Sequence, residues 1–172
     1  MSVEMPAARL DGQWMAVALQ EAEAAARDDE VPVGAVVVVG GELVARARNR
    51  RESDRDPTAH AELIALRDAA MTLGRWRLSG ATVYVTLEPC PMCAGAMILA
   101  RVDRVVYGAA DPKAGACGSV VDLFEPGRFN HRSAITSGVM AGACGRVLSE
   151  FFADKRVASR GSERWPSPVE GV

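Results

Sequence analysis

Long apolar runs, excess positive charge and histidine are all scarce in this sequence of 172 residues. The longest apolar stretch, residues 31–39, is far shorter than the roughly 18 residues that a membrane-spanning helix needs. The first 30 residues hold seven acids and two arginines, whereas a secretory signal begins with basic residues. We therefore expect a cytoplasmic protein that makes no use of a membrane.

The net charge of −2 excludes a uniformly basic coat for nucleic acid, although the acid-rich start leaves room for basic patches further along the chain. With only two histidines and four cysteines, each of these residues carries weight in the interpretation. Cysteines in a reducing cytoplasm indicate metal binding or catalysis before disulfides.

The length is that of one ordinary domain, and a composition of 49% hydrophobic and 24% charged residues is typical of a globular protein with its own core. We expect a single domain over residues 1–158. Residues 159–172 are rich in glycine, proline and serine, which predicts a disordered tail.

Hydrophobic periodicity predicts alternating helices and strands. Helices are predicted over residues 11–28, 57–74, 91–101 and 140–157, with a weak signal at 120–124; strands are predicted over 33–39, 42–47, 81–87, 102–107 and 135–139. Residues 48–56 are predicted as a loop that ends with Asp56 as a helix cap. This order predicts an α/β fold, a three-layer α/β/α sandwich around a central mixed five-stranded sheet.

Two short motifs contain the residues with the most specific chemistry, His60-Ala61-Glu62 and Pro89-Cys90-Pro91-Met92-Cys93, each at a predicted helix start. A catalytic zinc takes three protein ligands and leaves a fourth position to water, a set that His60, Cys90 and Cys93 would complete. Cysteines three residues apart share one face of a helical turn, and a helix N-terminus favours the thiolate form that a metal needs.

Glu62 lies two residues after His60, which places it roughly 200° further around a regular helix. That geometry predicts a proton carrier beside the metal site and not a fourth ligand. Two alternatives remain open at this point. The C-x-x-C pair could be a redox pair, although no βαβ unit begins the chain, or Cys90, Cys93, Cys117 and Cys144 could form a closed structural site, which leaves His60 and Glu62 without a role.

At these motifs the sequence resembles the zinc-dependent cytidine deaminase-like superfamily, whose signature is H-x-E followed by P-C-x-x-C, and within it the bacterial tRNA-specific adenosine deaminases. The resemblance covers roughly residues 11–157, and no metal or catalytic position departs from the pattern. It is carried by Glu30-Val31-Pro32-Val33-Gly34-Ala35, Asn49, residues 56–62, residues 86–97, residues 104–109, Gly118-Ser119, Asn130-His131-Arg132 and Phe151-Phe152.

The resemblance implies a cytidine deaminase-like sandwich, one Zn²⁺ per subunit and hydrolytic deamination of adenosine to inosine. The substrate would be the wobble position of a tRNA anticodon, in arginine tRNA with anticodon ACG. Hydroxide on the zinc would attack C6, with Glu62 as the proton shuttle. The resemblance also implies a homodimer, with the helix of residues 90–101 near the interface.

For substrate contacts, the resemblance implies Asn49 at the polar edge of the flipped base and Val33 beneath it. Flanking nucleotides would meet Asp111, Lys113, Asn130 and His131, and the last helix would offer Phe152 for stacking and Arg156 for a phosphate. Plainer interpretations stay open for two of these residues: Phe152 as a core residue, and His131 as a loop residue that forms a hydrogen bond.

Two other functions compete with this one. The same motifs occur in deaminases of a free base or nucleoside, such as cytosine or guanine, and the motifs alone do not separate the two classes. A zinc-stabilised binding module without catalysis is a third hypothesis, and it would show no chemistry that depends on Glu62.

Overall fold

The computed structural model describes the backbone of residues 7–162 and the side chains of residues 9–158. Five helices and five strands lie in this part of the chain. They follow in the order α1 (Ala7–Arg27), β1 (Gly34–Val39), β2 (Glu42–Arg48), α2 (Arg51–Asp54), α3 (Ala61–Leu73), β3 (Ala81–Leu87), α4 (Pro91–Leu99), β4 (Arg104–Ala109), β5 (Ala134–Thr136) and α5 (Ala141–Ser162).

The strands form one sheet in the order β2-β1-β3-β4-β5. The pairs β1–β2 and β1–β3 are antiparallel, whereas β3–β4 and β4–β5 are parallel, so the sheet is mixed as predicted. Gly40 and Gly41 form the β1–β2 turn with φ values of 60° and 82°, a backbone conformation that glycine adopts without strain.

Alternate residues of the central strands face two separate cores. On one side Val37 and Val83 pack beneath α3 and α4, and on the other side Val36 and Tyr84 pack against α1 and α5. This alternation explains why β1 is apolar at every position, since helices cover both faces of the strand. The predicted three-layer α/β/α sandwich is confirmed.

The start of α3 differs from the prediction. Asp56 does not cap a helix at Pro57, because its carboxylate accepts the N–H and the O–H of Thr58 in a local turn. The helix begins at Ala61 with His60 as its cap residue, and the predicted loop 48–56 contains the short helix α2.

The segment after β4 also differs from the prediction. No helix forms over residues 120–124, because the amide N–H groups of Val120 and Val121 both donate to the carbonyl of Gly115 in a folded loop. Strands β4 and β5 lie within two or three residues of their predicted bounds. The helix α5 runs to Ser162, so the first four residues of the predicted tail, 159–162, belong to this helix. Residues 163–172 lie outside the described residues.

None of the described helices is both long enough and apolar enough to cross a membrane.

A partly buried ion pair ties α1 to the sheet on the side away from α3. Arg104 donates two hydrogen bonds to the Asp11 carboxylate, at 2.8 and 2.7 Å, and the Tyr84 hydroxyl donates a third at 2.9 Å. Asp11 is only 4% exposed. The hydrogen bonds from Arg104 lower the pKa of Asp11 below its usual value despite burial.

We predict that Asp11→Asn lowers the free energy of unfolding at pH 7 by about 2 kcal/mol, because it leaves Arg104 without its charged partner. A carboxylate with a lowered folded-state pKa stabilises above its unfolded value, here 3.8, and that stabilisation is lost as pH falls towards the folded value. Denaturant unfolding between pH 7 and pH 3 should therefore show the difference between wild type and variant narrowing below about pH 4.

The matched control is Glu125→Gln, which removes an exposed ion pair with Arg128 and should cost less than about 0.5 kcal/mol. Equal losses for the two variants would contradict the role given to Asp11.

Candidate active site

Two helix starts meet at one edge of the sheet. His60 is the cap residue of α3 and Cys90 is the cap residue of α4, both with extended backbone angles, and Pro91 occupies the first turn of α4. The His60 Nδ1 atom lies 3.7 Å from the Cys90 Sγ atom and 3.5 Å from the Cys93 Sγ atom. The structure thus brings together the three ligands that the sequence predicts.

These distances fit a tetrahedral metal. Bond lengths of about 2.05 Å to nitrogen and 2.3 Å to sulfur, at a tetrahedral angle, place the two ligand atoms about 3.6 Å apart. Among the residues that the structure describes, His60, Cys90 and Cys93 are the one group of three or more possible ligands within 4.8 Å of one another. One imidazole and two sulfurs are a donor set that zinc favours.

The closed four-cysteine site is excluded by the same geometry. Cys144 lies on α5 in the core on the opposite side of the sheet, against Gly108, and Cys117 does not join the ligand group.

The site favours a thiolate before any metal binds. Hydrogen bonds from the Cys93 thiol and then from the His60 ring lower the pKa of Cys90 to about 4. The hydrogen bond with Cys90 raises the pKa of His60, and Cys93, which donates to Cys90 and is fully buried, has a raised pKa.

Glu62 lies in the first turn of α3 beside this group and is only 4% exposed. Burial raises the pKa of its carboxyl group to about 6, which makes it able to take up and release a proton near neutral pH. The side chain opens onto a cavity of about 180 Å³. The cavity is lined by Val31, Val33, Asn49, Arg51, His60, Glu62, Leu87, Glu88, Cys90, Asp111 and Ala114.

Zinc-dependent deaminases have an active site of this kind, in which a glutamate lies beside one histidine and two cysteines. Comparison with known proteins points to the same class of enzyme. A model of the MafB19-like deaminase family matches residues 11–156. The chain is 48% identical over 154 residues to a tRNA-specific adenosine deaminase of Bacillus subtilis, across 90% of this chain and 96% of that one. The chain belongs to the tRNA-specific adenosine deaminase family.

Solved structures show the same fold. A structure from a study of A-to-I editing by tRNA:A34 deaminases superposes on this deaminase with a TM-score of 0.77 and 46% identity, covering 79% of this chain and 99% of that one. The structure of NE0047 in complex with 2,6-diaminopurine gives a TM-score of 0.74 at 28% identity, covering 83% and 82%.

Three of the predicted substrate residues lie in the cavity wall of the deaminase together with the predicted catalytic group. Val33 contributes a buried apolar surface, Asn49 contributes a side-chain amide, and Asp111 lies in the loop after β4. They come from separate parts of the chain that meet at the same edge of the sheet as the helix starts.

The other predicted contacts do not line this cavity. Lys113 is exposed in the turn after Asp111. Asn130 accepts a hydrogen bond from Arg101, and the His131 ring donates through Nε2 to the carbonyl of Val102, the plainer role that stayed open for His131. Phe152 is exposed on α5 and packs edge to face on Phe151, and Arg156 is exposed on the same helix.

Sequence reasoning gave no site role to five residues that the structure places in the cavity wall, namely Val31, Arg51, Leu87, Glu88 and Ala114. Glu88 carries the clearest missed signal, since it is an acid between a buried strand and a metal motif, where an apolar residue is the usual neighbour. The position of Arg51 had no such signal, because it depends on the turn that α2 makes.

We predict that zinc content separates the four cysteines. Cys90→Ser or Cys93→Ser should lower the zinc content of purified protein from about one per chain to less than about 0.2, because each removes one of three protein ligands. Cys144→Ser should retain about one zinc per chain as a matched control with the same chemical change, measured by plasma mass spectrometry. Zinc loss from Cys144→Ser equal to that from Cys93→Ser would contradict the three-ligand site.

Proposed function

We propose that the deaminase converts adenosine to inosine at the wobble position of a tRNA anticodon, and that arginine tRNA with anticodon ACG is its substrate. One observation carries the proposal: a buried carboxyl group with a raised pKa lines the same small cavity as a ligand set for zinc. Similarity to tRNA-specific adenosine deaminases supports the choice of substrate.

His60, Cys90 and Cys93 would hold the zinc, which when bound lowers the pKa of a water towards about 7. The Glu62 carboxylate accepts a proton from the attacking water and delivers it to N1 of the adenine. The same carboxylate then takes up the second proton of that water and passes it to the departing amino group, so that water and adenosine yield inosine and ammonia. Amide N–H groups at the start of α4 stabilise negative charge that develops during the attack.

The target base must leave its stack to reach this cavity, and an anticodon loop makes that step less costly than a duplex does. Val31, Val33 and Leu87 provide apolar surface for the flipped base, and the Asn49 amide forms hydrogen bonds to its edge. Arg51 lies in the same wall and offers a guanidinium group to a phosphate. Asp111, Lys113, Asn130, His131, Phe152 and Arg156 remain proposed contacts for the flanking nucleotides.

The decisive experiment uses an anticodon stem-loop with the sequence ACG and zinc-loaded protein. Wild type should convert the first anticodon adenosine to inosine, detected as a mass increase of about 1 Da, since an amino group is replaced by oxygen. Glu62→Gln should lower the rate at least about 100-fold, because it keeps the size of the side chain and removes proton transfer.

One control and two possible outcomes decide between the alternatives. A stem-loop with guanosine in place of the target adenosine should give no product. No conversion of the ACG stem-loop, with turnover of free guanine or cytosine, would overturn the tRNA substrate and favour a free-base deaminase. If none of the tested substrates releases ammonia, and wild type and Glu62→Gln bind the stem-loop equally well, the result would favour the binding module.

We also propose that the deaminase acts in the cytoplasm as a homodimer through one apolar face of α4. Met92, Gly95, Ala96 and Leu99 recur at intervals of three and four residues, which places them on one side of the helix. Leu99 is 73% exposed, although it lies on a helix that is apolar at every position. An apolar helix face of this kind is typical of an interface between copies.

We predict that Leu99→Arg converts the dimer to a monomer, because a guanidinium group on each copy would have to be buried without a partner. Light scattering coupled to size exclusion gives the mass directly. Met71→Arg is the matched control, since Met71 is 75% exposed on α3, outside the proposed face, and the variant should remain a dimer. A monomeric wild type, or identical masses for the two variants, would contradict the proposed interface.

A further inference from the structure

Two buried carboxylates, one beside the cavity and one in its wall, have no part in the proposed proton transfer. Glu30 is 1% exposed and Glu88 is 2% exposed, so both have lost nearly all contact with water. Glu30 lies just before β1 and Glu88 just after β3. Because these two strands are antiparallel neighbours, the two carboxylates lie at the same edge of the sheet, the edge where α4 begins.

Glu30 holds the wall that comes from β2. Its Oε1 atom accepts the N–H and the O–H of Ser53, at 2.7 and 2.8 Å. Its Oε2 atom accepts the N–H of Glu52 at 3.2 Å and the side-chain amide of Asn49 at 3.1 Å. Since a carboxylate only accepts hydrogen bonds, Glu30 fixes the orientation of the Asn49 side-chain amide, with the nitrogen towards Glu30.

Glu88 holds the wall that comes from β4. Its carboxylate accepts the backbone N–H groups of Asp111, Cys117 and Ser119, at 2.9, 2.9 and 3.1 Å, and also the Ser119 hydroxyl. Both ends of the loop of residues 111–119 are thus bound to one side chain. Gly115 lies so close that a Cβ atom there would collide with the Glu88 carboxylate.

The two sets of contacts have the same design. Each carboxylate accepts four hydrogen bonds, one of them from a serine hydroxyl, and each set ends at a residue that lines the cavity, Asn49 on one side and Asp111 on the other. In the sheet, β2 lies beside β1 and β4 beside β3, so the walls flank the central pair of strands.

We propose that Glu30 and Glu88 are positioning residues that hold the two side walls of the cavity in the shape that the substrate needs. The inference rests on the proposed deamination for its effect on catalysis. Glu30 orients the Asn49 amide towards the flipped base, and Glu88 sets the position of the loop that presents Asp111 to the flanking nucleotides.

The kinetic test compares Glu30→Gln and Glu88→Gln on the ACG stem-loop, with zinc-loaded protein. Glutamine at position 30 can donate hydrogen bonds as well as accept them, so the Asn49 side-chain amide is free to rotate and exchange its oxygen and nitrogen positions. We therefore expect kcat to fall about tenfold while KM changes less than twofold. Glutamine at position 88 loses hydrogen bonds to the loop of residues 111–119, so that Asp111 is no longer held in place for the flanking nucleotides. We therefore expect KM to rise about tenfold while kcat changes less than twofold. A purely structural role would lower only the fraction of active enzyme, so kcat is expressed per folded, zinc-loaded site; an unchanged kcat per active site in Glu30→Gln, or an unchanged KM in Glu88→Gln, would contradict the proposal.

Glu125→Gln is the matched control, since it makes the same chemical change at an exposed carboxylate paired with Arg128, and it should match wild type in both constants. If a glutamine variant fails to fold, Ser53→Ala and Ser119→Ala keep both carboxylates and remove one donor each. These should give shifts in the same directions of about threefold.

Amide hydrogen exchange tests the same inference without activity. Protection of the Ser53 amide should fall at least about tenfold in Glu30→Gln, and that of the Cys117 and Ser119 amides in Glu88→Gln, while the interior of α3 stays unchanged. Unchanged exchange together with wild-type kcat and KM would overturn the proposal. If wild type converts no stem-loop, the proposed function fails, and exchange still decides whether the carboxylates hold the walls.

Discussion

The whole site depends on one constraint, that the starts of α3 and α4 meet closely enough for His60, Cys90 and Cys93 to bind one metal ion. The chain satisfies it through strand direction. The helix α3 follows β2 and the helix α4 follows β3, and both strands run towards the same edge of the sheet because each is antiparallel to β1. A two-residue glycine turn between β1 and β2 is therefore as necessary to the site as the ligands are, since it sets the direction of β2.

The environments of the buried acids separate the proposed proton carrier, Glu62, from three carboxylates that support the structure. Among the described residues, Asp11, Glu30 and Glu88 are buried carboxylates that each accept three or four hydrogen bonds, and their pKa values lie below the usual range although burial opposes this. Glu62 is equally buried, yet burial dominates there and raises its pKa to about 6. A carboxyl group whose hydrogen bonds do not offset burial exchanges a proton readily, whereas the other three are held ionised.

The sequence was sufficient to predict what depends on local spacing. The grouping of His60, Cys90 and Cys93 follows from motifs at helix starts, and the sandwich follows from apolar periodicity, including the unbroken run in β1. The predicted start of α3 was wrong, because the choice between a helix cap and a local turn at Asp56 depends on which nearby N–H groups its carboxylate binds. The partners of Glu30 and Glu88 could not be predicted from local spacing, since they lie 19 to 31 residues away in the sequence.

We infer that substrate choice in this fold depends on the walls of the cavity and not on the sheet. The structure of NE0047 with 2,6-diaminopurine matches this chain nearly as well in backbone as the tRNA:A34 deaminase structure does, with TM-scores of 0.74 and 0.77. The sheet and the two helix starts therefore supply reaction chemistry that different substrates can share. Under the proposed function, what distinguishes one substrate from another is the position of a few polar groups on loops, and Asn49 and Asp111 are the groups proposed here. Loops are the mobile part of most proteins, so a loop that selects a base must be held by bonds as strong as those of the core. A buried carboxylate that accepts four hydrogen bonds provides this at the cost of a single side chain.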